Sequence, residues 1–194
     1  MKIVINILLT AAVCGLIYLL YQSIAEPIQF EEEWAKRERK VANQLEDVRT
    51  AQLAFKDIVG YYAPNFDTLV EVLKTENFKI KNVIGDPDDP NSNYREFTTE
   101  VNALDSMNTL GIRLDSLQFI PYTDGKEFDL VAKVLPEYQN AKNIPVLKVS
   151  ALVGDYMGAW AHPRYNRYNK NYNPNSILFF GDLGKPTTDG NWRK

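Results

Sequence analysis

The sequence predicts an α+β protein: an N-terminal transmembrane helix running into a long amphipathic helix that packs on an antiparallel β-meander. Three observations predict it. The chain opens on an uncharged apolar run, Ile3 to Tyr21. Apolar side chains then recur every seven residues through Trp34, Val41, Val48, Phe55 and Tyr62. Short alternating segments bounded by turn residues fill the second half. These features divide the chain into an anchor (1–24), an exposed juxtamembrane helix (25–40) and an α+β head (41–194).

In the anchor, "IVINILLTAAVCGLIYLLY" is interrupted only by Asn6 and Thr10. Nineteen helical residues reach roughly 28 Å, close to the ~30 Å hydrocarbon core of a bilayer. Ile3, Ile7, Leu8, Leu16, Ile17, Leu19 and Leu20 are the expected lipid-facing residues. A signal peptide cleaved after Ser23-Ile24-Ala25 is the alternative, although the run exceeds a signal h-region. Cys14 follows Val13 and reads as a small apolar residue of the span, so the rest of the chain contains no cysteine. Lys2 lies on the short side of the span and Glu26, Glu31, Glu32 and Glu33 on the other, which favours an exported head. Lys36, Arg37, Arg39 and Lys40 stand at the edge of the window in which basic residues set orientation, and they leave a cytosolic head open.

Beyond Pro27, expected to break the helix, "FEEEWAKRERKVANQLEDVRTAQLAFKDIVGYY" reads as one long helix. Leu45 and Val59 supply the intervening positions, a second row that Glu38 and Gln52 interrupt. Ala51, Ala54 and Ile58 widen the stripe toward the C-terminal end. A broad face suits packing on a sheet, so the lower half belongs in the head, and the upper half from Trp34 to Leu45 is free to meet a partner. Glu32 with Lys36 and Glu33 with Arg37 are spaced as solvated ion pairs.

Gly60 is a natural terminator and Pro64 forbids simple continuation. Asn65 then caps "FDTLVEVLK", with Phe66, Leu69, Val70 and Leu73 on one face. The turn-rich "GDPDDPNSN" carries Asp86, Asp88 and Asp89, but its prolines disrupt the spacing of a calcium loop, leaving a plain acidic loop. The state of "TTEVNALDSMNTLGIRLD" stays open. "SLQFIPY" and "KEFDLVAKVL" flank Asp124-Gly125 as a hairpin, with Phe128, Leu130, Ala132 and Val134 on one face. "IPVLKVSALVG" and "SILFFGDL" supply further strands, and Trp192 docks the C-terminal tail.

With the span, the long helix and the meander, the text around Leu45, Val48, Ala51, Ala54, Phe55, Gly60, Tyr61, Tyr62, Pro64 and Leu69 resembles type IV pilins and the pseudopilins of type II secretion. The resemblance implies a pilin-like head and a structural or assembly role. It also implies a single-span protein of the bacterial inner membrane, with its N-terminus cytoplasmic and its head periplasmic. No leader-peptidase site precedes Ile3 and no acidic residue stands in the span, so the resemblance is to a non-processed relative.

No catalytic set stands out. His162 is the only histidine and lies in a proline-bounded turn without a serine elbow, where a hydrogen-bonded loop histidine is expected. No cofactor or metal site is expected. A net charge of −3 gives no basis for a nucleic-acid partner. The unusual text is "HPRYNRYNKNYNPN", in which arginines and tyrosines interleave. With Trp34, Val41 and Leu45 on the helix, Arg164, Tyr165, Arg167, Tyr168 and Tyr172 on this loop are the expected interaction residues, since tyrosine and arginine favour interfaces. The expected function is a non-enzymatic envelope component that touches lipid through its anchor and protein, or a second copy, through its head. The alternative is a membrane-tethered module binding a glycan or other ligand through the loop.

Overall fold

A computed structural model describes residues 1–84 and 95–192, and in it one helix, α1, runs without interruption over Lys2–Val59. The expected break at Pro27 is absent, for the proline lies inside α1. Proline forgoes the ladder hydrogen bond that its N–H would have made. Phe30, one turn on, is completely buried, so tertiary packing holds the next turn in helical register.

The helix ends as its sequence directs. Gly60 adopts the left-handed conformation (φ 93°) and donates its N–H to the Lys56 carbonyl at 2.7 Å. Gln52, which interrupts the apolar row, is fully buried. Its side-chain oxygen accepts from the Ala63 N–H at 2.9 Å, and its amide nitrogen donates to the Ala63 carbonyl at 3.3 Å. The polar residue thus satisfies the backbone of the loop that folds back on α1, where an apolar side chain would have left two buried groups unpaired. Asn65 caps α2 (Phe66–Thr75) by accepting the Thr68 N–H at 2.8 Å, and Phe66, Leu69 and Leu73 are buried.

Strands β1 (Asn77–Ile84) and β2 (Arg95–Asn102) form a two-stranded antiparallel sheet, in register from Asn77 with Asn102 to Ile84 with Arg95. The acidic loop with Asp86, Asp88 and Asp89 lies outside the described residues. The segment left open by its sequence divides into the end of β2 and a short helix, α3 (Ala103–Thr109), capped by Asn102.

The hairpin expected around Asp124-Gly125 is much reduced. "SLQFIPY" makes one bridge, Phe119 with Glu127, after a 3-10 turn at Leu114–Ser116. Leu114, Leu117 and Ile120 are all buried, at the three-residue spacing of a helical turn and not the alternation of a strand. The Gln44 amide fastens this segment to α1 by donating to the Ser116 carbonyl at 3.0 Å.

The main sheet is an antiparallel meander in the order β3 (Asp129–Tyr138), β4 (Ala141–Leu152), β5 (Ile177–Gly181). Gln139 and Asn140, both at positive φ, make the two-residue connection between β3 and β4. Phe128, Leu130 and Ala132 face the core as expected, but Val134 is half exposed because this end of the ladder overhangs it. Gly181 has φ 81°, and a Cβ there would lie 2.2 Å from the Leu147 carbonyl oxygen, so the crossing of β4 and β5 admits glycine alone. Helix α4 (Val153–Met157) follows β4.

The core joins Val41, Leu45, Val48, Ala51 and Phe55 of α1 to Leu147, Val149 and Ala151 of β4, Phe180 of β5 and Tyr156 of α4. The C-terminal segment pairs beside β5 through Gly190 and Asn191. There it delivers Trp192 to α1, where the indole N–H donates to Glu46 at 3.3 Å.

Candidate functional site

The chemistry-bearing residues gather where α1 leaves its apolar end. Two 3-10 turns, Gly158–Trp160 and Pro163–Arg167, carry a loop against the helix between Glu26 and Trp34. Phe30 is the pivot. Its ring stacks on Tyr165 at 4.8 Å with 5° between the planes and meets Tyr172 edge-on at 4.8 Å. Trp34 meets Tyr172 edge-on at 5.4 Å, and Trp160 lies 5.1 Å from Tyr165. Aromatic pairs of this kind add ~0.5–1.5 kcal/mol each beyond their burial. The Tyr172 hydroxyl donates to the Trp160 carbonyl at 2.7 Å, which closes the loop on itself.

A polar rim surrounds this cluster. The Glu26 carboxylate accepts from Arg164 at 3.2 Å, from Arg167 at 3.3 Å and from the Tyr168 hydroxyl at 2.6 Å. Each guanidinium lies over the ring of the next residue, Arg164 on Tyr165 and Arg167 on Tyr168. The hydrogen bond to Tyr165 holds the Arg164 pKa above its ordinary value. Desolvation, with the bond to Glu26, pushes the Tyr168 hydroxyl up. His162 is the expected loop histidine: its Nδ1 accepts the Arg164 backbone N–H at 3.0 Å and caps the second 3-10 turn. Arg37 donates to the carbonyls of Tyr156 at 2.8 Å and Met157 at 3.2 Å, closing the end of α4. It also pairs with Glu33 as expected, whereas Lys36 pairs with Glu33 and not with Glu32.

This geometry corrects the expected interaction surface. Val41 and Leu45 are completely buried core residues, and Tyr165 and Tyr172 point inward. Arg164 and Arg167 remain exposed, with Trp34 and Tyr168 half-buried. The helix stretch and the loop, both expected to face outward, are largely each other's partner. For the same reason residues 25–40 are not a free-standing helix: the head begins to cover α1 at Ala25 and buries Phe30. Phe30 extends the apolar stripe of the helix, since Phe30, Trp34 and Val41 follow at spacings of four and seven. Glu26 carried no signal, because its partners lie about 140 residues away.

The anchor residues Ile3, Ile7, Leu8, Leu16, Ile17, Leu19 and Leu20 are each 61–75% exposed, and none of the described residues covers them. This end of α1 is long and apolar enough to cross a membrane. Thr10 is compatible with lipid because its hydroxyl donates to the Asn6 carbonyl at 2.9 Å within the helix. A groove of about 570 Å³ connects the apolar end to the junction, lined by Tyr18, Tyr21, Ala25, Glu26, Trp160 and Arg164. A second, of about 450 Å³, lies between α1 and Trp192 and is lined by Trp34, Glu38 and Glu46. Burial raises the Glu38 carboxyl, opposed in part by the Trp34 indole N–H, which faces it without closing a hydrogen bond of normal geometry. Among the described residues, no group of three or more His, Cys, Asp or Glu side chains is placed to hold a metal ion.

No family model, curated protein or solved structure matches the chain. Fold and junction define a general class, an α+β domain with two small antiparallel sheets carried on a long helix whose N-terminal end is apolar and uncovered. Such an end is consistent with membrane association through a single span.

Proposed function

We propose that this chain is a non-enzymatic, single-span protein of a bacterial envelope, in which a pilin-like head acts as a structural or assembly component outside the inner membrane. One observation carries the reading. The helix whose N-terminal end is uncovered and apolar is the same unbroken helix that forms the spine of the head's core. Anchor and head are thus joined by continuous helical backbone and not by a loop, which suits a component that holds a position in an assembly. The exposed apolar side chains Ile80, Ile84 and Phe97 on the β1–β2 sheet offer a surface for another protein or a second copy. The test combines alkaline extraction, protease accessibility from each side of the membrane, and cross-linking from residues 80 and 97 in native membranes. The expected result is an unextracted chain with an intact N-terminus, a head digested from the outer side only, and one recurrent cross-linked partner. A soluble product shortened at Ala25 would overturn the reading.

The groove between α1 and Trp192 favours a second reading, a tethered ligand-binding module. Two tryptophans and the Glu38 carboxylate suit an organic cation or a sugar ring better than the inward-turned tyrosine loop does. Reproducible thermal stabilisation of the full chain by one such ligand supports it.

A further inference from the structure

We infer that the groove between the end of the apolar helix and the Trp160–Arg167 loop is a binding site for an anionic phospholipid headgroup of the membrane that holds the anchor. The inference deepens the proposed function and rests on its membrane anchor.

The occupant follows from position. Tyr18, Tyr21, Gln22, Ala25, Glu26 and Gln29 line the groove from one face of α1, and Trp160, Arg164 and Tyr165 line it from the head. Because α1 continues through Pro27, Glu26 stands five residues, or about 7.5 Å, beyond the last residue of the apolar run. That is the depth of the headgroup layer, which adds roughly 5–8 Å to each side of the hydrocarbon core. The floor of the groove thus lies at the edge of the lipid tails and its rim at the level of the phosphates. Tyrosine and tryptophan favour this boundary, where a ring meets tails on one side and water on the other.

Charge selects the headgroup. Arg164 lines the groove and Arg167 stands beside it; the two share a single carboxylate, that of Glu26, so this ion-pair cluster keeps one positive charge in excess, and both guanidinium groups remain exposed. Each is stacked on a tyrosine ring, which limits the freedom an arginine loses on binding. A guanidinium so presented pairs with a phosphate through parallel N–H donors. The Glu26 carboxylate competes with an incoming phosphate for the same guanidinium groups, so preference for an anionic headgroup rests on the positive charge left in excess of it.

The experiment uses the full chain in vesicles of phosphatidylcholine alone or mixed with phosphatidylglycerol. Extraction into mild detergent follows, and native mass spectrometry counts the lipids retained. Alkaline extraction of the same vesicles reads the anchor separately. The wild-type chain retains phosphatidylglycerol in preference to phosphatidylcholine. The double substitution R164Q/R167Q lowers that retention by about fivefold or more, the effect of one arginine near an anionic surface. E26Q, which frees both arginines, raises it. A chain that resists extraction but retains both lipids alike, or whose R164Q/R167Q and E26Q forms retain phosphatidylglycerol as the wild type does, overturns the inference and leaves the anchor standing. Release of the chain by alkali overturns both.

Discussion

Leu8 and Leu45 occupy the same helix, yet Leu8 is 65% exposed and Leu45 is completely buried. Both belong to sequences that any hydropathy argument marks as apolar, and the backbone treats them alike. The difference lies in the residues around them. Around Leu8 only Asn6 and Thr10 interrupt apolar positions on every face of the helix, and no other described part of the chain covers it. Near Leu45 apolar side chains hold one stripe, and β4, β5, α2 and α4 fold onto it. An all-round apolar helix asks for a solvent of its own kind, whereas a striped one asks for a core. Between the two stands the junction at Phe30, where lipid-compatible surface gives way to protein.

The contrast is open to direct attack, most strongly at the junction. Truncating Phe30 to alanine empties a fully buried aromatic site and should cost about 3–5 kcal/mol, read by denaturation of the full chain in mild detergent. Amide exchange at residues 160–172 should accelerate in the same variant, and unchanged exchange would show that the loop does not depend on the helix. Next in size is the paired comparison of Leu45→Ala and Leu8→Ala. The first should cost about 2–5 kcal/mol of head stability, the second no more than about 0.5 kcal/mol. Equal effects would erase the distinction between the two ends of α1.

Gln52→Leu tests the polar exception within the striped half. Its volume is similar, but it leaves the Ala63 N–H and carbonyl without partners, for a loss of about 1–3 kcal/mol. A gain in stability would mean that the loop after Gly60 finds other partners.

The smallest effect concerns Glu38. Burial holds its folded-state carboxyl above the ordinary value of 4.5, so over the interval between the two values the folded chain binds more protons than the unfolded one. Stability from this group therefore declines as pH rises from 4.5 through the folded value, and the penalty is complete above it. Glu38→Gln removes the penalty. The variant should melt higher than the wild type at neutral pH, and the two curves should converge in acid. A constant difference across that range would assign the effect to packing.

Much of this architecture was legible in the residues. Gly60, Pro64 and Asn65 announced the end of α1 and the start of α2, because each acts through its own backbone and its nearest neighbours. The alternation in "KEFDLVAKVL" and "IPVLKVSALVG" announced β3 and β4 in the same local way. "SLQFIPY" misled, since its apolar residues satisfy both a strand and a turn, and contact with Gln44 of α1 selected the turn. Pro27 misled for the opposite reason: its local cost is real, and the burial of Phe30 outweighs it.

The candidate site was legible in composition and not in direction. Arginines and tyrosines at residues 164–172 were visible as unusual, but no local rule says which way a loop tyrosine faces. Tyr165 and Tyr172 turn inward because Phe30, some 135 residues earlier, offers them a ring to pack against.

The order of the residues, then, was enough to establish the apolar end, the striped helix, its terminator and most of the meander, since periodicity, capping and turn chemistry act over a few neighbouring positions. That the helix passes straight through Pro27, that Gln52 is a buried partner for a loop, and that two expected outward faces close on each other depended on the folded arrangement. Each of these rests on contacts between segments far apart in the chain, whose energies outweigh the local preferences of the residues that make them.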